Sequence, residues 1–261
     1  MTNRPMKTAV ISGGNGGLGR ALATKLEANG WHCVLMDINT TGLDTTATRT
    51  PIAVDLTDTA SLHQAAKNII AQRPSVDLVI YNAGVSQIAP FADSDADSHR
   101  RVFEINYFAA VEMARAFLHP IRDSGGTHLA ISSVAGFAPL HARTAYAASK
   151  HAMQGFFTSL RSEEAAQGVR CLIAAPSFVA TNIGNAERSA DGVVRPGSAS
   201  DGIDYMTPDA AAEVILSGLN RGQEFIPVGR VARIASLLMR ASPRLYQHMM
   251  RRKIKAGETP N

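Results

Sequence analysis

Near its start the chain runs Thr8-Ala9-Val10-Ile11-Ser12-Gly13-Gly14-Asn15-Gly16-Gly17-Leu18-Gly19. An apolar, β-branched run predicts a strand, and apolar residues at spacings of three and four over residues 18–29 predict a helix directly after it. Between them lies a turn almost free of side chains. Such a turn lets backbone N–H groups approach a pyrophosphate, while the helix N-terminus adds partial positive charge. Ser12, Gly13, Asn15, Gly17, Leu18 and Gly19 are therefore candidate contacts to a dinucleotide. Glycines also serve ordinary turns, so it is the strand-to-helix setting that selects the anion cradle.

Working outward, further apolar runs occupy residues 33–36, 52–54, 78–81, 128–132, 171–174 and 224–228. Helical spacing fills residues 60–72, 102–119 and 147–167. Strand alternating with helix predicts right-handed crossovers and an α/β fold, a doubly wound, seven-stranded parallel sheet covered on both faces. We expect one catalytic domain over residues 1–229, with a polar, Gly-rich substrate lid at 182–207. Residues 230–261 form a basic helical C-terminal extension.

The 261 residues are 45% hydrophobic, enough for one sizeable core. Cys33 and Cys171 each sit in an apolar run, far apart, which argues against a disulfide framework and for a reducing, cytoplasmic setting. The N-terminus enters its first strand without a leader-like apolar segment, and no run of about 18 apolar residues occurs. No metal site is expected. The net charge of +4 is uneven: from Arg230 onward the chain carries +7, and the remainder −3. A nucleic-acid reading would rest on that tail alone, so no nucleic-acid partner is expected.

Asp37 ends the second strand about twenty residues past the glycines, where a carboxylate can accept both ribose hydroxyls and repel a 2'-phosphate. With no base at Asn15, Gly16 or Ile38, the expected cofactor is NAD(H); the plainer reading is that Asp37 caps a turn. Tyr146 and Lys150 are four residues apart, on one helix face. A phenol titrates near 10, and a neighbouring ammonium stabilises the phenolate, so the pair suits general acid/base chemistry. Ser133 follows the fifth strand at the carboxyl edge, where its hydroxyl can orient a substrate oxygen.

These residues resemble the short-chain dehydrogenase/reductase family over roughly residues 7–228, which implies a Rossmann-type fold and an NAD-preferring oxidoreductase with a C-terminal extension. Ser12-Gly13-x-x-x-Gly17-x-Gly19 is similar to the family's cofactor loop, with Ser in place of Thr. Asp55-Leu56 resembles its adenine-contacting pair, and Asn82-Ala83-Gly84 its strand-four motif. The resemblance implies that Tyr146 is the acid/base and that Lys150 binds the nicotinamide ribose and lowers the phenol pKa. It further implies that Ser133 positions substrate and that Asn106 completes a proton relay. Pro176-Ser177-Phe178-Val179-Ala180-Thr181 is similar to the turn beside the carboxamide, where Val179 and Thr181 would touch cofactor, but Ser177 replaces the family's Gly.

The candidate substrate wall comprises Ser86, Gln87 and Ile88, residues 137–141 with Phe137 and Leu140, Phe178, and the lid. It is mostly apolar, which favours an uncharged, lipophilic secondary alcohol or ketone. His141 reads more readily as a solvated loop residue, and Phe137 and Phe178 equally as core. In the tail, Val231, Ile234, Leu237 and Leu238 keep helical spacing and Pro243 opens a second helix with Leu245, Met249 and Met250. This pair either rests on an anionic membrane surface or covers the body or a sister subunit, with the second reading favoured. The family resemblance implies a homodimer or homotetramer through the helices at 102–119 and 147–167. Two other classes stay open: a non-catalytic NAD sensor or scaffold, and an epimerase or dehydratase using the same cofactor.

Overall fold

The computed structural model describes residues 6–73, 75–181, 193–194 and 205–255. Its strands are β1 (Thr8–Ser12), β2 (His32–Asp37), β3 (Arg49–Ala53), β4 (Leu78–Tyr81), β5 (Ser86–Gln87), β6 (Thr127–Ile131), β7 (Arg170–Pro176), β8 (Val193–Val194) and β9 (Phe225–Val228). Seven of them form one parallel sheet in the order β3-β2-β1-β4-β6-β7-β9, while β5 and β8 pair separately and antiparallel. The chain therefore winds outward from β1 in both directions. The switch point lies between β1 and β4, where ligands of open α/β sheets bind.

Period-two alternation sends neighbouring side chains into two different cores. Ala9 and Ile11 of β1 face one, with Leu18 and Leu22 of α1 (Gly17–Ala28) and, from later in the chain, Ile215 and Leu219. Val10 faces the other, shared with Leu62 and Ile69 of α2 (Thr59–Gln72) and Met113, Met153 and Phe157 further along. A parallel sheet covered on both faces needs such apolar strands, and every residue of β1 is buried. The third strand reads as 52–54 in the sequence but begins at Arg49. It is an edge strand, where Pro51 and polar residues are tolerated and the apolar signal is weak.

The helix expected over 102–119 is broken into four pieces. α3 (Ala96–Phe103) runs into a π turn at Glu104–Phe108, followed by α4 (Ala109–Ala116) and α5 (Leu118–Ser124). Pro120 lacks the N–H that would bond the Ala116 carbonyl, so α4 ends at Ala116 and the helix restarts. The helix expected over 147–167 starts earlier, as α6 (Thr144–Glu164). α7 (Pro208–Asn220) takes Thr207 as its N-cap, whose hydroxyl accepts from the Ala210 N–H.

Two helices, α8 (Arg230–Ala241) and α9 (Pro243–Lys255), close the described chain, with Pro243 as the first residue of the second. Their inner face is packed: Ala232, Ala235 and Tyr246 are buried against Val134 and Ala138, with Phe137, Leu238, Met239 and Met250 around them. Their outer face keeps Ile234, Leu237, Leu245 and Met249 exposed. The tail thus covers the body, as the favoured sequence reading has it, without hiding its apolar stripe. No described helix is long and apolar enough to cross a membrane.

One polar pair lies inside the core. The Tyr81 hydroxyl and His128 Nδ1 share a 2.6 Å hydrogen bond between β4 and β6. Burial drives the His128 pKa down to about 4 and pushes the Tyr81 phenol up.

Candidate active site

The glycine turn is built by close approach. Gly13 has φ +62°, and a Cβ there would lie 2.9 Å from the Ala83 Cα; a Cβ on Gly19 would collide with the Gly13 carbonyl. Larger residues would push the turn off β4 and the helix off the turn. The Gly16 N-cap of α1 offers no side chain to its first N–H groups. That leaves a bare helix N-terminus in a cradle that a Cβ would fill, a geometry suited to a pyrophosphate. The Ser12 hydroxyl ties this turn to β4, accepting from the N–H groups of Asn82 at 3.0 Å and Ala83 at 3.1 Å.

Asp37 stands beside the cradle. Its Oδ2 accepts from the Asn15 N–H at 2.9 Å, and Oδ1 from the Asn39 N–H at 3.2 Å. Spacing alone misses Arg20. Its side chain folds back from α1 onto the Asn15 side chain, with Nε also 3.2 Å from the Asn15 carbonyl, and reaches the Thr41 carbonyl. A carboxylate and a guanidinium therefore flank the same asparagine. The signal existed, since an Arg one turn into a helix can reach back over its N-terminus. Asp55 is exposed and accepts from the Thr57 N–H at 2.9 Å, while Leu56 shares a small cleft with Ser12, Ala83 and Ile105.

The strand ends β4 and β6 meet α6 at the four residues singled out for chemistry. Asn106 is fully buried in the π turn. Its Oδ1 accepts from the Val85 N–H at 2.8 Å, and its Nδ2 donates to the Val85 carbonyl and to Ser149 Oγ, each at 2.9 Å. The described partners of its side chain are thus structural: they lock α6 to the loop after β4. Gly84 leaves room beside it, since a Cβ there would sit 3.1 Å from Asn106 Oδ1 and 3.5 Å from Lys150 Nζ.

Ser133 is buried and accepts from the Ala135 N–H at 3.1 Å, and its hydroxyl acts on the buried Tyr146 phenol in favour of the phenolate. The Lys150 ammonium donates to the Ile131 carbonyl at 2.9 Å and lies 5.9 Å from the Tyr146 ring centre. The sequence predicts a phenol pulled down by this lysine, whereas here the phenol is raised. Burial removes water from it and outweighs the Ser133 hydrogen bond and the field of Arg143, both of which favour the phenolate. Burial also pulls Lys150 down to about 8.

The turn after β7 answers the Ser177 substitution. Ser177 Oγ donates to the Val228 carbonyl at 3.2 Å, and a Cβ on Gly229 would lie 2.5 Å from Ser177 Oγ. The extra side chain is absorbed against a glycine on the neighbouring strand end. Val179 is buried and bridges Met206, and the Thr181 backbone packs on Gly17, across the mouth of the cradle. Of the substrate-wall candidates, Phe137 stacks edge-on with Phe225 at 5.5 Å, and Phe178 packs on Tyr205 at 5.7 Å. Leu140 is half-buried and His141 exposed. The expected lid at 182–207 lies outside the described residues except for Val193, Val194 and residues 205–207.

A parallel, doubly wound sheet with a bare glycine cradle at its switch point, and a buried Ser-Tyr-Lys cluster beside it, defines a dinucleotide-binding α/β oxidoreductase fold. Residues 7–192 match the short chain dehydrogenase family model, and the chain belongs to that family. It is 30% identical to dehydrogenase/reductase SDR family member 7B of Xenopus laevis, over 94% of this chain and 81% of that protein. The bovine member 7B is 32% identical, over 92% of this chain and 79% of its own length. Among solved structures, a short-chain dehydrogenase from Burkholderia cenocepacia in complex with NADP superimposes with a TM-score of 0.82, at 21% identity, covering 94% of this chain and 97% of that one.

Proposed function

We propose that the protein is an NAD(H)-dependent oxidoreductase that interconverts a secondary alcohol and a ketone on an uncharged, lipophilic small molecule. The observation that carries this reading is the burial of Ser133, Tyr146 and Lys150 together, with the Lys150 ammonium 5.9 Å from the Tyr146 ring centre, next to a cradle that only glycines permit. In oxidation, the Tyr146 oxygen takes the substrate hydroxyl proton while Ser133 holds the substrate oxygen. Lys150 holds the nicotinamide ribose and passes charge stabilisation to the phenol, and Asn106 steadies the wall and completes the relay. Bound NAD would accept the hydride released from the carbinol carbon, leaving the ketone. In reduction the same phenol returns the proton.

Asp37 is proposed to read the ribose hydroxyls, and Ser12, Gly13, Asn15, Gly17, Leu18, Gly19, Asp55, Leu56, Asn82, Ala83, Gly84, Val179 and Thr181 to line the cofactor. Residues 1–229 would act as the catalytic unit, with 182–207 as its lid and 230–261 as an appendage. Free, buried Cys33 and Cys171 support a cytoplasmic location. Tyr107, Phe108 and Phe156 form an aromatic cluster on the π turn and α6, with Phe108 48% exposed, which supports a homo-oligomer through these helices. The exposed stripe of α8 and α9, in a segment with eight Lys/Arg and no acid between Arg230 and Lys255, supports peripheral contact with an anionic membrane.

The test is nicotinamide absorbance with NAD and NADP over secondary alcohols, steroids, retinoids and cis-diols. Turnover with NAD that falls by about 10²-fold or more in Tyr146→Phe, with NAD binding retained, is expected. Tight NAD binding without turnover of any substrate would favour a sensor instead.

A further inference from the structure

The turn that enters α6 breaks three local rules at once. Ala142 holds a left-handed φ of +53°, which side-chain-bearing residues avoid. Arg143 follows as the N-cap without a side-chain cap bond, at a position that ordinarily takes Ser, Thr, Asp or Asn. Its guanidinium is a cation at the positive end of a 21-residue helix whose first turn holds no acid. None of these choices serves the helix, and violations of this kind concentrate where function demands a geometry.

What they share is where they put the guanidinium. Arg143 Nη1 donates to Ser86 Oγ at 3.1 Å, and Ser86 is buried on β5. The Ala89 N–H donates to the Ala142 carbonyl at 3.0 Å and ties the turn to the segment after that strand. Arg143 also stands one helical turn before Tyr146, close enough for its field to act on the phenol.

We propose that Arg143 is an electrostatic tuning residue, a guanidinium pinned by Ser86 beside Tyr146 that stabilises negative charge on the phenol oxygen at every working pH. It complements Lys150, whose ammonium, drawn down to about 8, loses charge in the alkaline range that favours alcohol oxidation. A guanidinium does not deprotonate there. The other groups facing Tyr146 fit this division. Ser133, after β6, contributes a hydrogen bond and Asn106, on the π turn, is uncharged. Of the charged side chains around it, Arg143 is the one whose field favours the phenolate.

The inference rests on the reading of Tyr146 as the acid/base, and its test separates the two. In Arg143→Met, the acid limb of kcat against pH for alcohol oxidation should move up by about one pH unit. Loss of a cation raises the phenol pKa, so the base form appears later. Arg143→Lys should move it much less, and Ser86→Ala, which unpins the guanidinium, by an intermediate amount. Independently of turnover, the near-ultraviolet phenolate titration of each protein, minus that of its Tyr146→Phe counterpart, should move in the same direction. Should Arg143→Met fail to fold, the Lys and Ser86→Ala variants carry the comparison. A raised KM with an unmoved limb and unmoved titration would assign Arg143 to substrate binding and overturn the proposal. A moved titration in a protein that turns over nothing would support the tuning role while removing the dehydrogenase reading.

Discussion

Asn82 donates to Ser12 from both its backbone and its side chain across the switch point of the sheet. The Asn82 N–H donates to the Ser12 hydroxyl at 3.0 Å, and the Asn82 side-chain amide donates to the carbonyls of Ser12 at 3.1 Å and Gly13 at 2.9 Å. The glycine cradle is therefore shaped from β4 as much as from β1. Asn82→Ala is expected to lower stability by about 1–3 kcal/mol, because two partly buried carbonyls lose their donor. It should also weaken NAD binding, measured by calorimetric titration. Unchanged affinity together with unchanged stability would mean that the cradle holds its shape without β4.

Cofactor choice turns on the two side chains that flank Asn15. With Asp37 reading the ribose, the native protein should prefer NAD, and Asp37→Ser should move the kcat/KM ratio toward NADP by about tenfold or more. Arg20→Ala added to Asp37→Ser should cancel much of that gain, since Arg20 would supply the cation for the 2'-phosphate. A native preference for NADP that Arg20→Ala reverses would transfer the selecting role from Asp37 to Arg20.

Acid sensitivity should trace in part to His128. The unfolded chain takes up this proton near 6.5, whereas burial holds the folded imidazole neutral down to about 4. Its contribution is thus fully present above 6.5 and is lost as the pH falls through that window, on the order of 3 kcal/mol in all. His128→Gln should be less stable at pH 7.5, because the Tyr81 hydroxyl loses its imidazole partner. It should nevertheless lose less stability than the native chain on going to pH 5, followed by urea unfolding. Equal acid-induced losses in the two proteins would clear His128.

For the outer face of α8 and α9, co-sedimentation with vesicles gives a direct reading. Binding to phosphatidylserine vesicles, weakened by salt and absent with neutral lipid, is expected. Leu237→Asp should reduce it several-fold without altering turnover of a soluble substrate. Concentration-dependent self-association that vanishes in the same variant, with no vesicle binding, would identify a sister subunit as the occupant.

Much of this architecture is legible from residues alone, because each part carries a local signal. The buried strands around β1 advertise themselves as apolar runs, and the Gly13-to-Gly19 turn is recognised from the strand and helix on either side of it. Pro243 and the spacing of Leu237 and Leu238 likewise give away the two terminal helices. What escapes depends on distant partners. β3 hides its register behind Pro51 because an edge strand need not be apolar. Arg20 and Arg143 look like ordinary surface cations until the fold brings Asn15 to one and Ser86 to the other. The raised phenol of Tyr146 escapes because burial, unlike the Lys150 spacing, is written nowhere in the local sequence.

The π turn at Glu104–Phe108 has a consequence for how this helix tolerates change. An α-helix closes on every fourth residue, and the turn accommodates one extra, with the Ala109 N–H reaching back to the Glu104 carbonyl. Removing a single residue there would give a more regular helix with the flanking segments kept in phase, whereas a deletion in α4 would rotate everything before it by about 100° relative to everything after. Asn106 could then no longer face Val85 and Ser149 together. The irregularity behaves as an inserted residue whose loss the backbone would accept but whose removal would take Asn106 from its place between Val85 and Ser149.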